Sequence, residues 1–198
     1  MKTPVAKFLA ILSFLFLCGL AQGSLIHYSA SLNGPSESPP NASLGTGTAD
    51  VFYNDVAHTM EVMVSFTGLT GTVTASHIHA GTAVPNAGTA GVATTVPTFT
   101  GFPGGATSGT YDHTFDMTLA SSYNPAFVTA NGGTTASAEV ALFSFMNAGR
   151  AYLNIHSTSF AGGEIRGFLH NVPDAGSTIA MLGGALACLA LLRRRFAN

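Results

Sequence analysis

The chain has 198 residues, 46% of them hydrophobic and only 8% charged, with two cysteines and no tryptophan; that length holds one domain of ordinary size with terminal extras. Lys2, Lys7, Arg193, Arg194 and Arg195 lie in the terminal segments, so residues 24–172 keep only Arg150 and Arg166 against Glu37, Asp50, Asp55, Glu61, Asp112, Asp116, Glu139 and Glu164. An acidic domain without lysine excludes nucleic acid as a partner, because affinity there rests on Lys and Arg neutralising phosphates.

From the N-terminus, Lys2 and Lys7 form a basic region, Phe8 to Leu20 an apolar run, and Ala21-Gln22-Gly23 a small-x-small site. This is the layout of a signal peptide over residues 1–23, and it predicts export through the Sec translocon with cleavage by signal peptidase after Gly23. Cys18 and Cys188 are both terminal, so the mature domain, residues 24–171, holds no disulfide.

The domain reads mostly as strands. In Thr59–Leu69, Met60, Val62, Val64 and Phe66 alternate with Glu61, Met63 and Ser65, the period of a strand with one buried face. The preceding strand, "TADVFYND", joins it through Asn54-Asp55, which is turn chemistry and predicts a hairpin. In "YDHTFDMTL", Tyr111, His113, Phe115, Met117 and Leu119 fall on one face and Asp112, Thr114, Asp116 and Thr118 on the other. Further strands are expected at 25–32, 73–79, 151–156 and 164–170. One short helix is expected at 137–150, with Ser137 as cap and Gly149 beyond its end. Residues 34–47 and 80–109 are Gly- and Pro-rich loops. Many short strands joined this way predict an all-β fold, an antiparallel β-sandwich of about seven to eight strands.

Three groups could carry chemistry. His77 and His79 in "SHIHAG" are two apart on a strand and share a face. In "AYLNIHS", Tyr152, Asn154 and His156 share one face. If those strands are neighbours, His77, His79 and His156 make a set of ligands for copper or zinc, metals that neutral imidazole suits. The other reading, taken as the expectation, has these histidines bonded to loop backbone and fixing the 80–109 connection, with no cofactor. Glu164 and Arg166 in "AGGEIRG" are a same-face pair of opposite charges, and a local ion pair is expected. The chain lacks G-x-S-x-G, H-E-x-x-H and a P-loop, so no catalytic residues are assigned and the protein is expected not to be an enzyme.

The residues in order resemble a known family. Glu37, Pro39, Pro40 and Gly45, then His77-Ile78-His79 with Gly81, then Tyr152, Asn154 and His156, and finally Gly163-Glu164-Ile165-Arg166-Gly167 stand where the CHRD domain, first described in chordin and common in exported bacterial proteins, has its pattern. The resemblance covers about residues 25–170 and implies an extracellular β-sheet domain, which in chordin belongs to a growth-factor-binding protein. Ser38 stands where many members have an apolar residue. The His-Ile-His strand is also similar to the His-Val-His strand of copper/zinc superoxide dismutases, a fold-level analogy from which no activity is carried over.

The chain closes with "VPDAGSTIAMLGGALACLALLRRRFAN", residues 172–198. Its apolar stretch, Ile179 to Leu192, spans about 21 Å as a helix, short of the roughly 30 Å hydrocarbon core, so a transient membrane span is expected. Arg193, Arg194 and Arg195 would stop it on the cytoplasmic side, leaving the domain outside. Val172, Pro173, Asp174, Gly176 and Ser177 resemble the VPDSG variant of the PEP-CTERM sorting signal, with Ala175 in place of serine. That resemblance implies recognition by an exosortase, a membrane transpeptidase-like enzyme of exopolysaccharide-producing Gram-negative bacteria, and transfer to the surface. The whole predicts an exported protein of the cell envelope, cell surface or extracellular matrix with a non-enzymatic binding or structural role. Its expected partners are exopolysaccharide or surface proteins. The alternative is a copper- or zinc-binding sandwich with redox or hydrolytic activity.

Overall fold

A computed structural model describes residues 25–173. The signal peptide at 1–23, the sorting residues Asp174, Gly176 and Ser177, the apolar run and Arg193 to Arg195 lie outside the described residues. Among the described residues no helix is long and apolar enough to cross a membrane.

Eight strands form one antiparallel sheet: β1 (Leu25–Asn33), β2 (Thr46–Asn54), β3 (Thr59–Thr67), β4 (Val73–Ala80), β5 (Gly109–Asp116), β6 (Ala151–Ser157), β7 (Ile165–Phe168) and β8 (His170–Val172). The spatial order is β4-β6-β7-β1-β2-β3-β5, with β8 paired to β1. The expected hairpin is present, Asn54 opposite Thr59, and the Asn54 side chain closes its turn by accepting from the amides of Val56 and Ala57. Met60, Val62, Val64 and Phe66 are all buried, as their spacing predicts.

The sheet curls because its two end strands share one loop. Phe99 donates its amide to Ser76 of β4 at 3.0 Å, while its ring packs on Tyr111 and Phe115 of β5 with centroids 5.8 and 5.4 Å away. The Tyr111 hydroxyl returns a bond to the Thr100 carbonyl at 3.1 Å. The curled sheet thereby encloses one apolar core that includes Tyr28, Leu32, Val62, Ile78 and Leu153, the expected sandwich.

Two helices lie between β5 and β6: α1 (Pro125–Ala130) and α2 (Thr135–Asn147). The expected helix is α2. Its cap is Thr134, which shares a reciprocal capping box with Ser137, so Ser137 is the third helical residue and not the cap. Gly149 beyond its end has φ +65°, as a left-handed terminating residue should. The six-residue α1 was not expected; Asn124 caps it and Pro125 opens it, but it is too short to show a period. β5 ends at Asp116, before the expected Leu119, because the Asp116 carboxylate takes bonds from the Thr118 amide and hydroxyl and turns the chain. Met117 is still buried, whereas Leu119 is exposed. The expected strand at 164–170 is divided at the buried Leu169, whose amide bonds to Ala151 of β6, and β8 carries pairing on to Val172 opposite His27.

Candidate metal centre

The register of three neighbouring strands builds the site. Across β4 and β6, Ala75 stands opposite His156, His77 opposite Asn154 and His79 opposite Tyr152; across β6 and β7, Asn154 stands opposite Arg166 and Tyr152 opposite Phe168. The three imidazole rings therefore meet, with centroids 5.2 to 5.8 Å apart. One nitrogen from each lies within 4.8 Å of the others.

The other nitrogen of each ring is tied to a loop carbonyl. His77 Nε2 bonds to the Pro97 carbonyl, His79 Nδ1 to the Ala90 carbonyl at 3.0 Å, and His156 Nδ1 to the Ala161 carbonyl at 2.9 Å. A carbonyl can only accept, so each of these nitrogens carries the hydrogen and the opposite one presents a lone pair. Those opposite atoms, His77 Nδ1, His79 Nε2 and His156 Nε2, are buried and unpartnered. A buried acceptor left unsatisfied costs about 1–3 kcal/mol, and here three converge. Each ring thus fixes loop backbone, His77 and His79 within the 80–109 connection, and by doing so aims its second nitrogen inward.

The donor set fits a metal ion. Backbone carbonyls that hold the outer nitrogen of a histidine and fix its tautomer are the usual support of a metal-binding imidazole. Metal–nitrogen bonds of about 2.0–2.1 Å ask for nitrogens about 3.4–3.6 Å apart, which small rotations of the rings from their present spread would reach. Burial pushes the pKa of all three histidines down, that of His79 to about 4 with His77, His156 and Arg166 adding to the effect. Each is therefore neutral near pH 7, the form that binds metal.

A second layer backs His79. The Tyr152 ring stacks on it with centroids 4.8 Å apart and planes 3° from parallel. The Tyr152 hydroxyl sits between the amide and carbonyl of Ala90, the residue that also holds His79. Arg166 lies over the Tyr152 ring at 4.7 Å and over Phe168 at 5.7 Å, and it donates to the carbonyls of Ser36 and, at 3.1 Å, Gly88. Its Nε is 3.7 Å from Glu37 Oε2. Burial pushes the Glu37 carboxyl up to about 7 against the downward pull of Arg166. Glu37 Oε1 and Asn154 Oδ1 are also buried without partners, and both crowd Gly163. A Cβ there would come within 2.7 Å of each residue, at a φ of +132°. Gly163 is therefore confined to glycine by space as well as by conformation.

The expected local pair of Glu164 with Arg166 does not form. Glu164 turns to the amides of Thr70 and Gly71 and the Ser43 hydroxyl, the last at 2.6 Å. Burial acts to raise its pKa, but the hydrogen bonds from Ser157, Ser43, Thr70 and Gly71 outweigh it and hold the carboxyl below its ordinary range. Arg166 finds its carboxylate in Glu37, more than a hundred residues earlier. Two-residue spacing shows that side chains share a face, but a loop returning from elsewhere can supply a better partner. The sequence placed Tyr152 and Asn154 on one face with His156, but linked Glu37 and Arg166 to the histidines only as members of one family pattern. The carbonyls of Ala90, Pro97 and Ala161 left no signal at all, since every residue has one.

Of the sorting residues, Val172 and Pro173 are described; Val172 ends β8 and is exposed. A family model of the CHRD domain matches residues 28–169, and one of the VPDSG-CTERM motif matches residues 171–196. No curated protein and no solved structure matches the chain.

Proposed function

We propose that this chain, which belongs to the CHRD-domain family and ends in a VPDSG-CTERM sorting motif, is a surface-displayed metal-binding protein. The motif implies export to the cell envelope or surface and processing by an exosortase-type system. In our reading the enzyme removes the C-terminal helix and anchors the domain among exopolysaccharide and other surface proteins. There His77, His79 and His156 hold one copper or zinc ion, and the role is binding rather than turnover. One observation supports the metal above all: three buried imidazole lone pairs converge without a partner while the opposite nitrogen of every ring is held by a carbonyl.

The test is metal content. Full-length protein purified in detergent, stripped with chelator and then offered copper or zinc, should take up one ion per chain and melt at a higher temperature, because an ion that binds only the folded state stabilises it. His77→Ala should do neither. Wild-type protein that takes up no stoichiometric metal, with an unchanged Tm, would end the proposal.

A further inference from the structure

Two arginines and no lysine lie among the described residues, and one of the two, Arg166, stands against the metal centre. Its guanidinium, Tyr152 and His79 follow one another, 4.7 Å from guanidinium carbon to tyrosine ring and 4.8 Å from tyrosine ring to imidazole. Arg166 is buried and held by two carbonyls, so its charge is fixed in place and poorly screened. The three ligands it faces are neutral imidazoles, and the cluster contains no carboxylate. Nothing in the donor set therefore offsets the charge that an ion brings.

We propose that Arg166 is a specificity-determining residue that biases the three-histidine site toward the monovalent cuprous ion over divalent zinc, and that Glu37 opposes it. The inference rests on the metal-binding reading above. A divalent ion meets one more unit of repulsion from Arg166 than a monovalent one. At a separation of about 10 Å, the most that the two steps through Tyr152 allow between the guanidinium and the His79 ring, and an effective dielectric of about 20, that extra repulsion changes the affinity ratio about tenfold. Copper(I) also accepts three nitrogen ligands without a fourth, whereas zinc requires at least one more. Glu37, 3.7 Å from Arg166, carries the opposite charge. Of this pair it is Arg166 that lies over the ring stacked on His79. Tyr152, between them, keeps His79 in line and transmits no charge of its own.

The test compares ratios of affinities. Full-length protein in detergent at pH 8, where Glu37 is ionised, is titrated with copper(I) against a chromogenic copper(I) chelator under anaerobic conditions, and with zinc against a chromogenic zinc chelator. Arg166→Gln should shift the ratio of the two dissociation constants about tenfold toward zinc, and Glu37→Gln should shift it the other way. Arg166→Lys, which keeps the charge and loses the stacking, should lower Tm and leave the ratio near that of the wild type. A structural role for Arg166 would weaken both metals together, so a ratio unmoved by Arg166→Gln, or moved the same way by both charge-removing variants, overturns the inference while leaving metal binding intact. If Arg166→Gln does not fold, the direction of the Glu37→Gln shift decides alone. Wild-type protein that binds neither ion refutes the metal-binding reading itself.

Discussion

The two halves of the sheet solve different problems. In β2, β3 and β5, burial alternates: Val51, Val62, Val64, Tyr111 and Phe115 are inside, while Glu61, Met63, Asp112 and Thr114 are partly or fully exposed. In β4, β6 and β7, alternation disappears, and 15 of their 19 residues are buried. A strand with one wet face can carry any polar residue there. A strand covered on both faces can carry one only if each polar atom finds a partner. The covered half spends its polar positions on His77, His79, His156, Asn154 and Arg166, and satisfies all but a few atoms through loop carbonyls. Three of the atoms left over, one nitrogen from each of His77, His79 and His156, converge, and that is the site.

The comparison can be broken from either side. The largest expected effect is on metal affinity: His79→Ala or His156→Ala should lower it by more than about 100-fold, since removing even an outer support costs 10–100-fold, as read by chelator competition. Next comes stability in the alternating half. Met60→Ala, which empties a fully buried site in β3, should cost about 2–5 kcal/mol in denaturant unfolding and leave metal affinity unchanged. Gly163→Ala should be intermediate, about 1–3 kcal/mol from the strained backbone conformation, with weaker metal binding because Asn154 and Glu37 must move.

The smallest effect is a pH dependence of the stripped protein, in which Glu37 opposes the three buried histidines. Glu37 binds its proton more tightly when folded, about 7 against an ordinary 4.5. Its stabilising contribution is whole below pH 4.5 and lost as pH rises to 7. His79, lowered to about 4 from 6.5, is the reverse: the unfolded chain takes the proton first, so stability is lost as pH falls from 6.5 toward 4. Glu37→Gln should remove the first dependence and expose the second, giving a stability that rises with pH from 4 to 6.5 in urea titrations. An unchanged profile would show that Glu37 is not buried as described.

The alternating half was legible from the sequence because period two is a property of the strand itself, and Met60 to Phe66 display it in full. The covered half was legible only in part. The spacing of His77 with His79, and of Tyr152 with Asn154 and His156, gave the shared faces. That β4 and β6 are neighbours is a matter of topology and could be stated only as a condition. Glu164 and Arg166 show the limit most clearly, since their spacing suited an ion pair and both side chains instead found partners brought by distant loops. The short α1 and the early end of β5 were hidden for a similar reason: a proline, an asparagine cap and one aspartate decide them, with no periodic pattern to read.

The most direct measurement is X-ray absorption on the metal-loaded full-length protein. The account predicts a first shell containing three imidazole nitrogens at about 2.0 Å, with one imidazole lost in His156→Ala. A loaded ion whose spectrum shows no imidazole scattering, or whose shell is unchanged in that variant, would contradict it.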